Sequence, residues 1–543
     1  MDPAKRLTLV AAIMGSFVVG IDATVVNVAL PAIERDLGGG LAGQQWVVNA
    51  YLLFLGSFIL IGGSLGDLYG EQRVFRIGVT GFGVVSALCA VAPSIEVLVA
   101  ARAVQGVCGA LLAPTSLAII VATFSPGERG AAVGAWTAWS GIGTVVGPLV
   151  GGWLVDAFSW RLVFAINVPF VLVTLVLSTR IPSGRHRRAD QRVDVVGAVL
   201  AALGLAGPTF ALIEQPRLGW GDPAVWVPLV AGLMLFAAFI AWERRTADPM
   251  LPLELFRVRN FSVGNVETLA MYGGLGVVFF LLAIYLQQVA GYKAVQAGLV
   301  TLPASVLMFL LSRRFGALAD RYGPRPFMGF GPLVAAAGVL LFQRVDANVD
   351  FFTELLPALV VFALGLSITV APLTATVLAA ADETNAGIAS AVNNAVARVA
   401  GLLATAAVGA VVASQFSAAL DADLDDRPLS PAARAAVAAA DEQTLGTIRA
   451  PGAPLGERVL LARASREAST EAFHTAMGIA AALLAAGGAL GLAGIQDPRK
   501  VPCRAVSAEE CAGGQLVAQP RDAVRERRLP RAELPARKET ARA

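Results

Sequence analysis

GSLGDLYGEQR at residues 63–73 and GALADRYGPRP at residues 316–326 are two versions of one segment. Each follows a long apolar run. Each sets an aspartate, Asp67 or Asp320, three residues before a glycine, Gly70 or Gly323. Glycine permits a sharp reversal of the chain. An aspartate near a helix end can bond free backbone amides or pair with an arginine, here Arg73 or Arg321, so the pair of loops is read as a conformational latch. The two aspartates lie 253 residues apart. A unit of six short-looped membrane spans takes up about 180–200 residues, so two further spans fit between the copies. The chain therefore reads as a duplicated six-span unit with an inserted pair. Duplicated halves place a ligand site between them, near the bilayer midplane.

Composition agrees with this reading. The 543 residues are 56% apolar and 15% charged, against about 25% charge in soluble domains. That excludes an ordinary soluble enzyme and a disordered chain. A net charge of +3 is too near balance for a nucleic-acid binder, which needs a basic excess to hold phosphate. Cys89, Cys108, Cys503 and Cys511 are too scattered for a disulfide framework or a zinc cage. With only His186 and His474, histidine-based metal or triad chemistry is not expected, and neither is a metal or other cofactor. Gly62-Gly63-Ser64-Leu65-Gly66 fits a nucleophile pattern but ends a membrane helix instead of joining a strand to a helix. There is no phosphate-binding loop for ATP.

A bilayer core about 30 Å thick needs about 20 apolar residues per helix. Fourteen runs qualify, near 7–33, 45–66, 74–92, 96–124, 131–156, 161–179, 194–213, 224–242, 261–290, 296–315, 327–342, 355–380, 387–413 and 473–494. An even count puts both termini on one side. Eighteen lysines and arginines fall in the short segments of that side, against five (Arg35, Arg161, Arg217, Lys293 and Arg344) on the other. Positive charge marks the cytoplasmic face, so both termini are expected there. The expected organisation is a six-helix bundle over 1–180, two inserted helices over 181–245 and a second six-helix bundle over 246–494. Residues 414–472 form a long extracytoplasmic loop, read as a helical hairpin or cap. Residues 495–543 form a disordered cytoplasmic tail.

Ionisable residues inside a span are costly and usually mark function or a partner. Asp22 sits mid-span in the first helix and Arg102 in the fourth, at nearly the same depth. Their natural solution is an ion pair inside the bundle, either purely structural or acting as a proton switch. Glu267 in the ninth span and Arg398 in the thirteenth have no evident partner in the sequence. Glu267 is read either as facing a cavity or as capping a neighbouring helix, and Arg398 chiefly as a packing residue. Gly143, Gly147 and Gly151 recur every four residues beside Pro148. Such a stripe lets a neighbouring helix approach closely, and the proline favours a bend.

In combination these motifs resemble the fourteen-span drug:proton antiporter branch of the major facilitator superfamily. GIDATVVNVALP at 20–31 is similar to the first-helix motif of that branch, with its acid at Asp22 and with Asn27 and Pro31 in place. Arg102-Ala103-Val104-Gln105-Gly106 resembles the fourth-helix motif, whose arginine is implicated in proton transfer. Gly143 to Leu154 resembles the fifth-helix motif of exporters. The loop after the second helix departs from the family pattern, with Leu68, Glu71 and Gln72 where basic residues are usual, while the second copy keeps Asp320-Arg321. Family members that take cationic drugs can carry an acid in helix ten or thirteen. Here helix ten has none and helix thirteen has Arg398.

The resemblance implies a proton-coupled exporter of amphiphilic small molecules in a bacterial cytoplasmic membrane, working as a monomer or with an accessory export partner. Asp22 and Arg102 would couple protons. Gly143, Gly147, Pro148, Gly151 and the two loops would gate. Asn27, Gln105, Glu267, Tyr272 and Arg398 are candidates for the substrate cavity. A proton symporter for a nutrient is the alternative within transport, and a membrane enzyme or transport-like sensor the alternative outside it.

Overall fold

The computed structural model describes residues 3–179, 194–246, 249–381, 386–424, 427–440, 445–448 and 450–497. The basic stretch at 181–192, the side chain of Asp67 and the tail beyond 497 lie outside the described residues. Apolar runs this long have only one way to satisfy their backbone in lipid without a barrel, which is to become helices. The first group is α1 (Pro3–Leu37), α2 (Gly40–Tyr69), α3 (Glu71–Ala90), α4 (Ile95–Thr123), α5 (Pro126–Ala157), α6 (Leu162–Ala165) and α7 (Asn167–Ser178). Then come α8 (Val195–Leu218) and α9 (Pro223–Glu243). The rest is α10 (Arg259–Gln288), α11 (Ala294–Val300), α12 (Leu302–Tyr322), α13 (Arg325–Leu340), α14 (Leu356–Ala379), α15 (Ala386–Leu424), α16 (Pro431–Ala440) and α17 (Leu455–Gly494). Among the described residues there is no strand.

The sequence repeat is also a repeat of local geometry. Gly70 ends α2 at φ 92° and donates to the Gly66 carbonyl. Gly323 ends α12 at φ 96° and donates to the Ala319 carbonyl. Both values lie where an L side chain is strained, which is why glycine stands at both turns. Elsewhere polar caps start the helices: Asp194 accepts from the Gly197 amide, and Asp222 accepts from Ala224 just ahead of Pro223.

Twelve of the described helices are long and apolar enough to cross a membrane. This is two fewer than the fourteen runs of the sequence. The difference falls on the fifth and sixth: α5 is one helix of 32 residues, whose apolar part among the fully described residues is Val145–Ala157, and the sixth run is the shorter Leu162–Ser178. The sixth is interrupted: α6 ends at Ala165, the chain turns at Ile166, and α7 restarts at Asn167, which is wholly buried. A polar residue at that turn is tolerated because it has buried partners, described below.

The inserted helices α8 and α9 pack on each other. α8 also lies along the seam between α2 and α15, where Leu53, Leu205 and Leu402 form a small apolar cluster. Trp46 of α2 donates to Glu214 of α8 at 3.0 Å. α9 carries exposed Trp226, Leu233 and Met234, as expected of a helix that faces lipid.

The expected hairpin at 414–472 is helical at both ends. α15 runs on to Leu424, and α17 begins at Leu455 and is 40 residues long, about 60 Å at 1.5 Å per residue. Between them, Leu445 and Ile448 are buried in the large core cluster with Tyr285 and Phe473. Thr447 donates to the Gln288 carbonyl at the end of α10. The segment is thus a packed cap on one end of α10 and α17.

Candidate functional site

Four helices of the first group converge on Asp22. Its side chain and that of Arg102 are 0% and 2% exposed, and Arg102 Nη1 lies 2.6 Å from Asp22 Oδ2. The other carboxylate oxygen, Oδ1, accepts from Gln105 Nε2 and from Asn167 Nδ2, each at 3.0 Å. Arg102 also donates from Nε to the Val47 carbonyl and from Nη1 to Gln105 Oε1. Ser86 of α3 receives Gln105 and Asn167. The ring of Tyr51 lies 4.2 Å from the Arg102 guanidinium carbon, and that of Phe164 at 5.7 Å.

A buried ion pair holds only if its remaining lone pairs and protons are also bonded. Here α1 supplies the acid, α4 the arginine and an amide, α7 a second amide, and α3 a hydroxyl. Removing either charge leaves its partner buried and uncompensated. A proton on Asp22 would do so chemically, which gives the cluster two electrostatic states.

The glycine stripe of α5 lies against the same helix. A Cβ on Gly143 would come within 3.2 Å of the Phe17 carbonyl, one on Gly147 would meet Thr24, and one on Gly151 would come within 2.5 Å of Val25. All three are α1 residues that flank Asp22. The adjacent face of α5 meets α11: a Cβ on Gly298 would strike the Pro148 carbonyl, and one on Gly152 would lie 2.5 Å from Val295 Cα. α5 is therefore wedged between the helix that bears the acid and the second helical group.

Sequence reasoning missed what fastens that wedge. Asp156, near the end of α5, accepts from the backbone amides of Ala294 and Val295 at 3.1 and 2.8 Å and so caps α11 across the interface. Gln287 of α10 donates to the Val28 carbonyl of α1 at 3.0 Å. Gln45 of α2 donates to Thr405 of α15 at 2.7 Å. At the opposite end Asp320 and Arg321 are exposed. Among the described residues no ion pair joins either of them, while Arg321 lies over the Tyr322 ring. A Cβ on Gly134 would find open space. The two groups are joined at the Asp156 end.

The remaining candidates scatter. Gln105 belongs to the Asp22 cluster, not to a cavity. Asn27 is half-buried on α1, one turn beyond Asp22 toward the Asp156 end, and Arg73 is exposed. Glu267 is wholly buried, 0% exposed. Its carboxylate lies against α17, with Oε2 3.0 Å from where a Cβ on Gly491 would stand. Neither of its oxygens has a hydrogen-bond partner among the described residues. The glycines of α17 admit the side chain there. Tyr272 and Arg398 are half-buried on α10 and α15. Among the described residues no group of three or more His, Cys, Asp or Glu could hold a metal ion.

Known proteins place this geometry. Residues 12–405 match the Major Facilitator Superfamily. The chain is 37% identical over 440 residues to the puromycin resistance protein pur8 of Streptomyces alboniger, covering 80% of this chain and 86% of that protein. It is 35% identical to the tetracenomycin C resistance and export protein of Streptomyces glaucescens, covering 75% and 76%. It is 34% identical to the multidrug resistance protein Stp of Mycobacterium tuberculosis, covering 78% and 79%. Among solved structures, an inward-facing bacterial homologue of the lysosomal transporter Spinster aligns with TM-score 0.61 at 16% identity, covering 92% of this chain and all (100%) of that one. A peptide transporter in complex with sulfate aligns with TM-score 0.61 at 14% identity, covering 91% and 94%. A duplicated helical fold around a buried ion pair, matched over most of its length by resistance and export proteins, makes this chain a member of the major facilitator superfamily, a multi-pass membrane transporter and not an enzyme.

Proposed function

We propose that the chain is a drug:proton antiporter that exports amphiphilic small molecules across a bacterial cytoplasmic membrane. The observation that carries this reading is the Asp22–Arg102 pair, buried and fully bonded beside the α5 stripe. The names of the relatives, which speak of resistance and export, support the direction.

In this reading all fourteen apolar runs cross the membrane, α5 and the α6–α7 stretch included, and both termini are cytoplasmic. Residues 1–180 and 246–494 are the two bundles and 181–245 the insert. The Asp156 end is then extracytoplasmic, and the structure is closed outside. Asp22 takes a proton from outside and loses its charge. Arg102 keeps bonds to Val47 and Gln105 but no counter-ion. The pair loosens, α1 shifts along the glycines of α5, and the α5–α11 seam opens while the Asp67 and Asp320 loops close. Each proton entering down a 100 mV potential contributes about 2.3 kcal/mol, and a pH gradient adds to that.

Asp22→Asn tests this in proteoliposomes. The amide keeps the size of the acid but only one of its two acceptor oxygens, cannot take up the proton and leaves Arg102 without its countercharge. Melting in detergent and substrate binding are therefore measured beside transport to show that the variant is folded. The protein should fold, bind substrate and lose transport driven by a pH gradient. Undiminished pH-driven transport by this variant would remove Asp22 from the mechanism.

A further inference from the structure

We infer that Arg398 is the charge partner for an aromatic amphiphile bearing an anionic group, a carboxylate or phenolate, bound where α2, α10 and α15 meet. The inference rests on the exporter reading and names the substrate class for it.

Arg398 sits in the middle of α15, half-buried, with its Cβ 3.4 Å from where a Cβ on Gly56 of α2 would stand. The glycine is what lets the arginine's stem lie against α2. Tyr272 of α10 lies along the same stretch of α15, its carbonyl oxygen 4.0 Å from where a Cβ on Gly401 would stand. Among the described residues no carboxylate pairs with Arg398, and no hydrogen bond satisfies its guanidinium. The buried acids are committed elsewhere. Asp22 is neutralised by Arg102, and Glu267 is turned against Gly487 and Gly491 of α17. An arginine in the interior of a membrane protein normally has a partner, because its isolated charge is costly there. This one is left for a ligand.

The neighbouring groups point to the same chemistry. Tyr272, half-buried on α10, offers a phenol on that side of α15. Asn49, on the seam of α2 with α15, is wholly buried. Its carbonyl oxygen accepts from Thr405, but its Nδ2 donates to nothing among the described residues. A guanidinium, an amide N–H and a phenol O–H can all donate, and the first two only donate. A ligand that satisfies them brings acceptors, and a bonded anion also cancels the charge. The Tyr272 ring favours an aromatic body. Moving such an anion outward is driven by an inside-negative potential, in the same direction as proton entry.

The test compares two xanthene dyes of similar ring system and opposite charge, the anion fluorescein and the cation rhodamine 6G. Fluorescence polarisation reads their binding to the purified full-length chain. Wild type should prefer fluorescein. Arg398→Ala should weaken fluorescein about tenfold or more, the usual worth of a charge-assisted bond, and leave rhodamine 6G within about twofold. Arg398→Lys should restore part of the loss, and Tyr272→Phe should cost fluorescein a smaller factor. Equal loss for both dyes, or none in a folded Arg398→Ala protein, overturns the inference. So does a wild-type preference for rhodamine 6G, which needs no variant to fold. The two readings fail separately. Arg398-dependent fluorescein binding without proton-driven flux sinks only the exporter. Asp22-dependent, pH-driven efflux of rhodamine 6G without Arg398-dependent fluorescein binding sinks only the anion site.

Discussion

The two helical groups share the glycine turns at Gly70 and Gly323 but treat their buried charges in opposite ways. In the first, Asp22 is bonded on both oxygens by donors from α4 and α7, and its countercharge is 2.6 Å away. In the second, Glu267 is as deeply buried, yet neither oxygen is bonded among the described residues. The arginine of that group, Arg398, stands on another helix without an acid. Pairing makes the first group's charges cheap to bury and sensitive to a single proton. Separation leaves the second group's arginine with an unmet electrostatic demand. In the proposed cycle the first group reads protons and the second a ligand, and the shared loop motif does not fix which charges meet.

The strongest way to break this contrast is Arg102→Ala. It strands Asp22 in the core, which by analogy with other buried pairs costs about 3–5 kcal/mol. The variant should express poorly or unfold at much lower temperature in detergent. Arg398→Ala, which strands nothing, should melt near wild type. Equal melting of the two variants would mean that the first pair is not what distinguishes the halves. Gly147→Val comes next. Its side chain would press into Thr24 of α1, and overpacking of this kind costs about 1–3 kcal/mol. Transport should fall with it. Gly134→Ala, which meets open space, should be silent in the same assay.

A smaller effect is expected at the seam between the groups. Asp156→Ala removes the acceptor for two amides of α11, a capping loss of about 1 kcal/mol. That is about a fivefold shift in a two-state equilibrium. Spin labels at Phe158 and Lys293, both exposed, should show a longer distance gaining population. An unchanged distribution would leave the closure of that end to the packing of Gly152 and Gly298 and to the Gln287–Val28 and Gln45–Thr405 bonds.

The sequence made some of this legible and hid the rest for physical reasons. Asp22 and Arg102 stand out because a charge in an apolar run is expensive, and equal depth suggested the pairing. The glycine stripe and the twin loops stand out because spacing is a linear property. Asn167, Ser86 and Tyr51 do not, because neutral polar and aromatic residues cost little in a hydropathy reading and matter only once helices face one another. Asp156 looks like any acid at a membrane interface until α11 is seen docking on it. Glu267 was conspicuous by its cost, but whether a charge faces a cavity or a neighbouring helix depends on rotation about the helix axis. The glycines of α17 decide that, 220 residues further along in the case of Gly487. The break after Ala165 escaped notice because nothing in an uninterrupted apolar run announces it.

The smallest expected effect is the sharpest test of the comparison. Glu267→Gln keeps the volume of the side chain and breaks no hydrogen bond among the described residues, so its stability cost should stay under about 1.5 kcal/mol. If protons are read in the first group alone, this variant should also keep pH-driven transport, with the same dependence on external pH as wild type. Asp22→Asn, the same chemical change at a bonded acid, should abolish it. Parallel flux measurements on the two variants therefore ask whether bonding, and not burial alone, makes an acid part of the cycle. If Glu267→Gln stops transport as Asp22→Asn does, the second group carries a proton of its own. The asymmetry between the halves would then lie in how each acid is held, and not in which half works.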